Sequence, residues 1–121
     1  MAFQVSNHPI EVVSNSNRVR VIWRGEVIAD TTRSMSLQEG SYPVVHYIPR
    51  EDVATALLSR TTLQTRCPYK GQASYYSIMV REQTAENAVW TYETPLPAVG
   101  TIGGYLAFYP SRVDSITETA A

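Results

Sequence analysis

One cysteine in 121 residues excludes an intrachain disulfide and any zinc site built from cysteine pairs. The two histidines, His8 and His46, show no HExxH spacing, so a histidine-based metal centre finds no support and no metal is expected. No apolar run approaches the roughly 18 residues that a membrane-spanning helix requires. Neither sign of charge dominates, since ten Lys and Arg face eleven Asp and Glu. Affinity for nucleic acid or an anionic membrane comes from an excess of cations neutralising phosphate, so neither is expected as a partner. Residues 1–5 lack the basic start and apolar run of a secretory signal. A free thiol also suits a reducing compartment, and the expected location is the cytoplasm. The length fits a single domain over 1–121, which buries roughly 65–70% of the surface its unfolded chain exposes.

What the chain does contain is period-two alternation broken by turn residues. Arg18-Val19-Arg20-Val21-Ile22-Trp23 alternates, and Arg24-Gly25 supplies a two-residue turn before Glu26-Val27-Ile28-Ala29. Glycine accepts the positive φ of such turns, so this segment predicts a β-hairpin. A strand is expected over 34–37, closed by Glu39-Gly40, and another over the apolar run 44–48 around His46. After Pro49, Val53, Ala54, Leu57 and Leu58 share one helical stripe, with Glu51 and Asp52 in its first turn. One short helix near residues 50–59 is therefore expected. Further strands are expected at 74–82, 87–93 and 102–109. A symmetric loop at 83–86 would set Trp90 opposite Val80 and Tyr92 opposite Ile78. Pro95 and Pro97 force a loop, and the tail 117–121 is expected to fray. Eight or so short strands and one helix make a mainly β chain with a folded or barrel-like antiparallel sheet.

The chemistry-bearing residues concentrate in Cys67-Pro68-Tyr69-Lys70-Gly71-Gln72-Ala73-Ser74-Tyr75-Tyr76. A turn at Pro68 can return Lys70 towards the sulfur, where an ammonium favours thiolate, the reactive form. The alternative is plain packing, because free cysteine is among the most buried residue types. Lys70-Gly71 lacks the glycine spacing of a phosphate loop. Gly100-Thr101-Ile102-Gly103-Gly104 precedes a strand instead of opening a helix, so it is no dinucleotide fingerprint. Gly103-Gly104 fits a bulge or a close backbone approach better. Trp90, Tyr92, Tyr75, Tyr76 and Tyr47 form an aromatic set, either core or a cage for a flat or cationic ligand. Tyr75 and Tyr76 face opposite ways on a strand, so one of them is expected to leave the core. Arg50 can pair with an acid or reach a ligand carboxylate. His46 reads as a hydrogen-bonded structural histidine. No G-x-S-x-G elbow supports serine catalysis.

Several ordered blocks carry a family likeness: Trp23-Arg24-Gly25-Glu26-Val27-Ile28-Ala29-Asp30-Thr31, His46-Tyr47-Ile48-Pro49-Arg50-Glu51-Asp52-Val53, the Cys67–Tyr76 block, Ala88-Val89-Trp90-Thr91-Tyr92-Glu93-Thr94-Pro95 and Gly104-Tyr105-Leu106-Ala107-Phe108-Tyr109. Across roughly residues 10–114 the chain resembles domain-of-unknown-function family 427. The resemblance implies a compact, β-tent-like (Mss-four-like) domain, similar in architecture to methionine sulfoxide reductase B and the cereblon ligand-binding domain. Many members of that wider group hold zinc through two cysteine pairs. With one cysteine this chain is expected to be zinc-free.

Three functional readings follow. The first is a binding module, needing no metal or cofactor, whose small pocket is walled by Cys67, Lys70, Tyr75, Trp90 and Tyr92 with Arg50 at the rim. Lys70 would orient an anionic or carbonyl-bearing small molecule. The second is an enzyme using Cys67 as nucleophile or redox thiol, assisted by Lys70. The third is a structural module whose open strand edges pair two copies into a homodimer.

Overall fold

Two positive-φ residues, Arg24 at +50° and Gly25 at +78°, turn the chain between β2 (Arg18–Trp23) and β3 (Glu26–Thr31). Both central residues of a type I′ turn need that conformation, so this hairpin forms where the sequence predicts it. The computed structural model describes residues 9–121; His8 and residues 1–5 lie outside them. The described residues build three antiparallel sheets. In the first, β1 (Ile10–Asn15), β4 (Ser34–Glu39) and β5 (Val45–Tyr47) lie in the order β1-β4-β5. The second sets β10 (Ser115–Thr119) beside β2 and then β3. The third runs β6 (Leu58–Cys67), β7 (Gly71–Val80), β8 (Gln83–Thr91) and β9 (Leu106–Phe108). The fold is mainly β, and the three sheets stay open instead of closing into a barrel.

The segment 50–59 does not form one continuous helix. It makes two single 3-10 turns, Arg50–Asp52 and Thr55–Leu57, separated by an extended Val53 at φ −118°, ψ 140°. A helix of about ten residues is marginal without tertiary support, and the neighbouring strand competes for the same backbone. Val53 bridges to Ala29, and the Ala54 N–H donates to the Ile28 carbonyl at 2.8 Å. Leu58 then pairs with Ile78 at the start of β6. Asp52 accordingly serves no helix dipole. Its carboxylate accepts from Thr31 Oγ1 at 2.7 Å and from the Arg33 guanidinium at 3.2 Å.

The β7–β8 hairpin also departs from the expected register. Its turn is Arg81-Glu82, at φ +47° and +66°, and not the segment 83–86. A bulge between Tyr76 and Ile78 then shifts the ladder. Asn87 adopts φ +51° there and its N–H donates to Ser77 Oγ at 3.0 Å. Trp90 therefore faces Tyr75 instead of Val80, while Ile78 pairs with Ala85. Both turn residues carry side chains in a region that glycine occupies without penalty. Glu82→Gly is expected to add about 0.5–1 kcal/mol of stability and raise Tm by roughly 2–4 °C. Thermal unfolding measures it, and an unchanged or lower Tm would show that the turn stores no strain.

At the C-terminal end, residues 117–121 do not simply fray. Residues 117–119 belong to β10, which pairs with β2 from Ser115↔Ile22 to Thr119↔Arg18. Glu118 fastens that strand to the first sheet by accepting from Asn15 and Asn17 Nδ2 at 2.9 and 3.0 Å. The expected strand at 102–109 shortens to β9, because residues 97–102 wind into 3-10 turns after Pro95 and Pro97. Gly103 shows the close approach its position suggests. A Cβ there would lie 3.3 Å from Pro95 Cδ.

Two hydrophobic clusters flank the third sheet. Val19, Val21, Ile28, Ile78, Val89 and Leu106 centre the first. Leu37, Tyr47, Tyr75, Tyr92, Val99 and Ile102 centre the second. Tyr75 and Tyr76 point to opposite faces, yet both faces are covered, so neither ring leaves the protein interior outright. Tyr75 is buried in the second cluster and Tyr76 packs, half-buried, against the first.

On the surface, Arg18 donates to both oxygens of Asp30 at 2.9 and 2.6 Å. That hydrogen bonding outweighs the opposing effect of burial and, with further help from Arg20, holds the Asp30 carboxyl at about 2. A depressed carboxyl contributes stability above its unfolded value of about 3.9, and that contribution is lost as pH falls through about 2. Both partners are well exposed, so the effect is modest and salt-sensitive. Carboxyl NMR should give a midpoint near 2 that moves up towards the ordinary value in Arg18→Ala. A midpoint already at the ordinary value in the native protein would refute the pairing.

Candidate functional site

A cavity of about 780 Å³ opens beside the second cluster. Alternation along the strands decides what faces it. β4 contributes Leu37 and Glu39, β5 contributes Tyr47, and their central neighbours in the third sheet, β7 and β8, contribute Tyr75 and Trp90. Tyr92 and Tyr109 reach it from just beyond β8 and β9, and Lys70 from the turn before β7. The loop 40–44 overhangs the mouth through Tyr42 and Val44, which are 63% and 45% exposed. Asp114, which is exposed, lines it together with Ser115 and Ile116.

The rings hold one another in fixed orientations. Trp90 meets Tyr47 edge-on at 90° with centroids 6.2 Å apart, and leans on Tyr109 at 4.4 Å. Its indole N–H donates to the Tyr47 hydroxyl at 3.2 Å. Tyr75 lies parallel to Tyr109, within 7°, and their hydroxyls are 3.3 Å apart. Thr65 Oγ1 lies 2.8 Å from the Tyr75 hydroxyl. Burial pushes the Tyr47 and Tyr92 phenols well above the usual range. Burial together with the Tyr75 hydrogen bond lifts Tyr109 to about 12. These phenols stay neutral at any physiological pH and present polar tips on apolar bodies.

The charged element is an ion pair. Lys70 Nζ donates to Glu39 Oε1 at 2.6 Å, with side chains only 10% and 16% exposed. Burial pulls the Lys70 ammonium down, but the Glu39 carboxylate and the Cys67 sulfur together outweigh it, and the group ends above its ordinary value. Lys70 is therefore a fixed ammonium, a hydrogen-bond donor, and not the neutral amine that imine chemistry needs.

Lys70, Tyr75, Trp90 and Tyr92 thus share one cavity. Cys67 stands beside them: half-buried, it packs against the same cluster and contacts Lys70 without forming part of the cavity wall. Its carbonyl accepts the Lys70 N–H at 3.2 Å, which closes the turn. Arg50 sits elsewhere. Its guanidinium lies over the Tyr76 ring at 5.7 Å and 4.0 Å from Glu93, beside Arg60, which clamps Glu93 at 2.8 Å. His46, on the cavity wall, is held between Ser36 Oγ at 3.2 Å and Glu118 at 3.4 Å. Among the described residues no group of three or more His, Cys, Asp or Glu could hold a metal ion, and no helix is long and apolar enough to cross a membrane.

Two important residues escape sequence reasoning. Glu39 reads as turn punctuation before Gly40, and nothing local ties it to Lys70, 31 positions on. Tyr109 reads as the end of a strand, although its ring touches both Trp90 and Tyr75. Its place in the block Gly104–Tyr109, directly before Pro110, was the available signal.

A comparison with curated proteins found no match. A family description, "Domain of unknown function (DUF427)", matches residues 11–119. The match takes in all ten strands except the first residue of β1, and the chain belongs to the domain-of-unknown-function family 427.

Proposed function

We propose that this protein binds a small, flat organic molecule in the aromatic cavity, with a carbonyl of the ligand facing Lys70. One observation carries the reading: a space of about 780 Å³, within the size range of ligand pockets, whose walls combine the rings of Tyr47, Tyr75, Trp90, Tyr92 and Tyr109 with a nearly buried ion pair. An ammonium has three donors. Glu39 engages one of them, and the nearby Cys67 sulfur favours the charged form, so donor capacity remains for a ligand acceptor. Because Glu39 already balances its charge, a neutral carbonyl fits better than a free carboxylate. The cysteine-enzyme reading draws less support, since the sulfur lies off the wall and Lys70 is committed to Glu39.

The test uses Trp23→Phe, which leaves Trp90 as the sole indole of two in the chain. Flat carbonyl compounds such as nicotinamide, uracil and succinimide are titrated while Trp90 fluorescence and Tm are followed. A ligand at 100 times its Kd stabilises by about 2.7 kcal/mol, so a saturable fluorescence change should accompany a rising Tm. A broad panel at millimolar concentration that changes neither signal overturns the proposal.

A further inference from the structure

The charge on the cavity walls points to the class of ligand, an inference that rests on the binding reading above: we propose that the natural occupant carries a positive charge on a flat, carbonyl-bearing body.

Two acidic residues, Glu39 and Asp114, line the space against a single lysine, Lys70. The Lys70 charge is met at 2.6 Å, and the carboxylate is the more exposed member of that pair, at 16% against 10%. Any charge on His46 is likewise met by Glu118, 3.4 Å from Nε2. Asp114 is different. Its side chain accepts only the neutral Gly25 N–H, at a long 3.4 Å, and no Lys or Arg pairs with it among the described residues. One uncompensated acidic residue therefore lines the space.

The rings add to the same sign. Trp90, Tyr47 and Tyr109 line the same space, and a cation over the face of an aromatic ring is attracted by the negative side of its quadrupole. The phenols of Tyr47 and Tyr109 are held neutral by burial, so the walls gain no further ionised groups to change this balance. An anion entering the cavity would meet two acidic residues, Asp114 and Glu39, together with aromatic walls. A cation meets all three favourably, while its carbonyl still faces Lys70. The exposed Tyr42 and Val44 at the mouth would cover the apolar part of such a ligand.

A matched trio isolates charge from shape. Nicotinamide, 1-methylnicotinamide and nicotinate share one ring and a carbonyl group and differ in charge: neutral, positive and negative. Each is titrated calorimetrically into the full chain at low and at high salt. The cation is expected to bind at least about tenfold tighter than nicotinamide, to lose part of that advantage in high salt, and to outcompete nicotinate entirely. Asp114→Asn, a change at an exposed residue, should narrow the gap between cation and neutral compound. If nicotinamide binds as tightly as the cation, or nicotinate binds more tightly, the charge inference is overturned and the binding reading stands. Should no member of this trio or of the wider carbonyl panel bind, both fall.

Discussion

Replacing Glu39 by alanine is expected to lower stability by about 3 kcal/mol, because it strands the Lys70 ammonium in a site only 10% exposed. For a chain of this size that corresponds to a Tm drop of roughly 10 °C. The loss is one of desolvation without compensation, more than of a lost attraction. The double variant Glu39→Leu with Lys70→Met should consequently recover most of it, since neither charge then needs solvation. The pH response separates this from a cavity effect. In the native protein the Lys70 ammonium sits above its ordinary value, so the pair's stabilisation is fully present below the unfolded lysine pKa of about 10.4. On the lysine side it is lost as pH rises beyond that, through the folded value. In Glu39→Ala burial opposes the charge with less to offset it, and stability should begin to respond to pH at lower values. Urea midpoints across pH measure both. A loss below about 1 kcal/mol, as for an exposed pair, would show that water reaches the ammonium freely.

The same pair shows where sequence reasoning stops. The β2–β3 hairpin is legible because its determinants are local: alternation on both strands and a glycine at the turn. The β7–β8 hairpin misleads because Arg81 and Glu82 carry no turn signature, yet both adopt positive φ. The bulge at Asn87 then resets which residues face each other. Residues 50–59 have helical periodicity, but Val53 and Ala54 give their backbone groups to β3 instead. Tertiary pairing overrides a weak local preference. For the site, residue types were legible and assembly was not. Lys70, Tyr75, Trp90 and Tyr92 stand out by chemistry and do meet. Arg50 stands out equally, but it stacks on Tyr76, which faces the other cluster. Pairings across 31 positions, such as Lys70 with Glu39, leave no trace in spacing.

Trp90 is the residue through which stability and binding are most tightly joined, and its variants should pull the two apart. Trp90→Ala removes the ring that touches both Tyr47 and Tyr109; about 3 kcal/mol of stability is expected to go with it, together with ligand binding. That result alone would not distinguish a binding wall from a structural prop. Trp90→Phe does. It keeps an aromatic face against Tyr109 but removes the N–H that donates to the hydroxyl of Tyr47, a residue only 1% exposed. The expected cost is about 1 kcal/mol, the net worth of one such hydrogen bond, so the variant stays folded. Phenylalanine is also the weaker partner for a cation, since tryptophan offers the best face. Affinity for 1-methylnicotinamide should therefore fall several-fold more than affinity for nicotinamide in the same variant. Isothermal titration of both ligands into both proteins gives the comparison directly. Equal losses for the two would mean that the indole supplies only area. Unchanged affinity for both, alongside the lost stability, would remove Trp90 from the ligand's path altogether and leave its ring as packing between β5 and the third sheet.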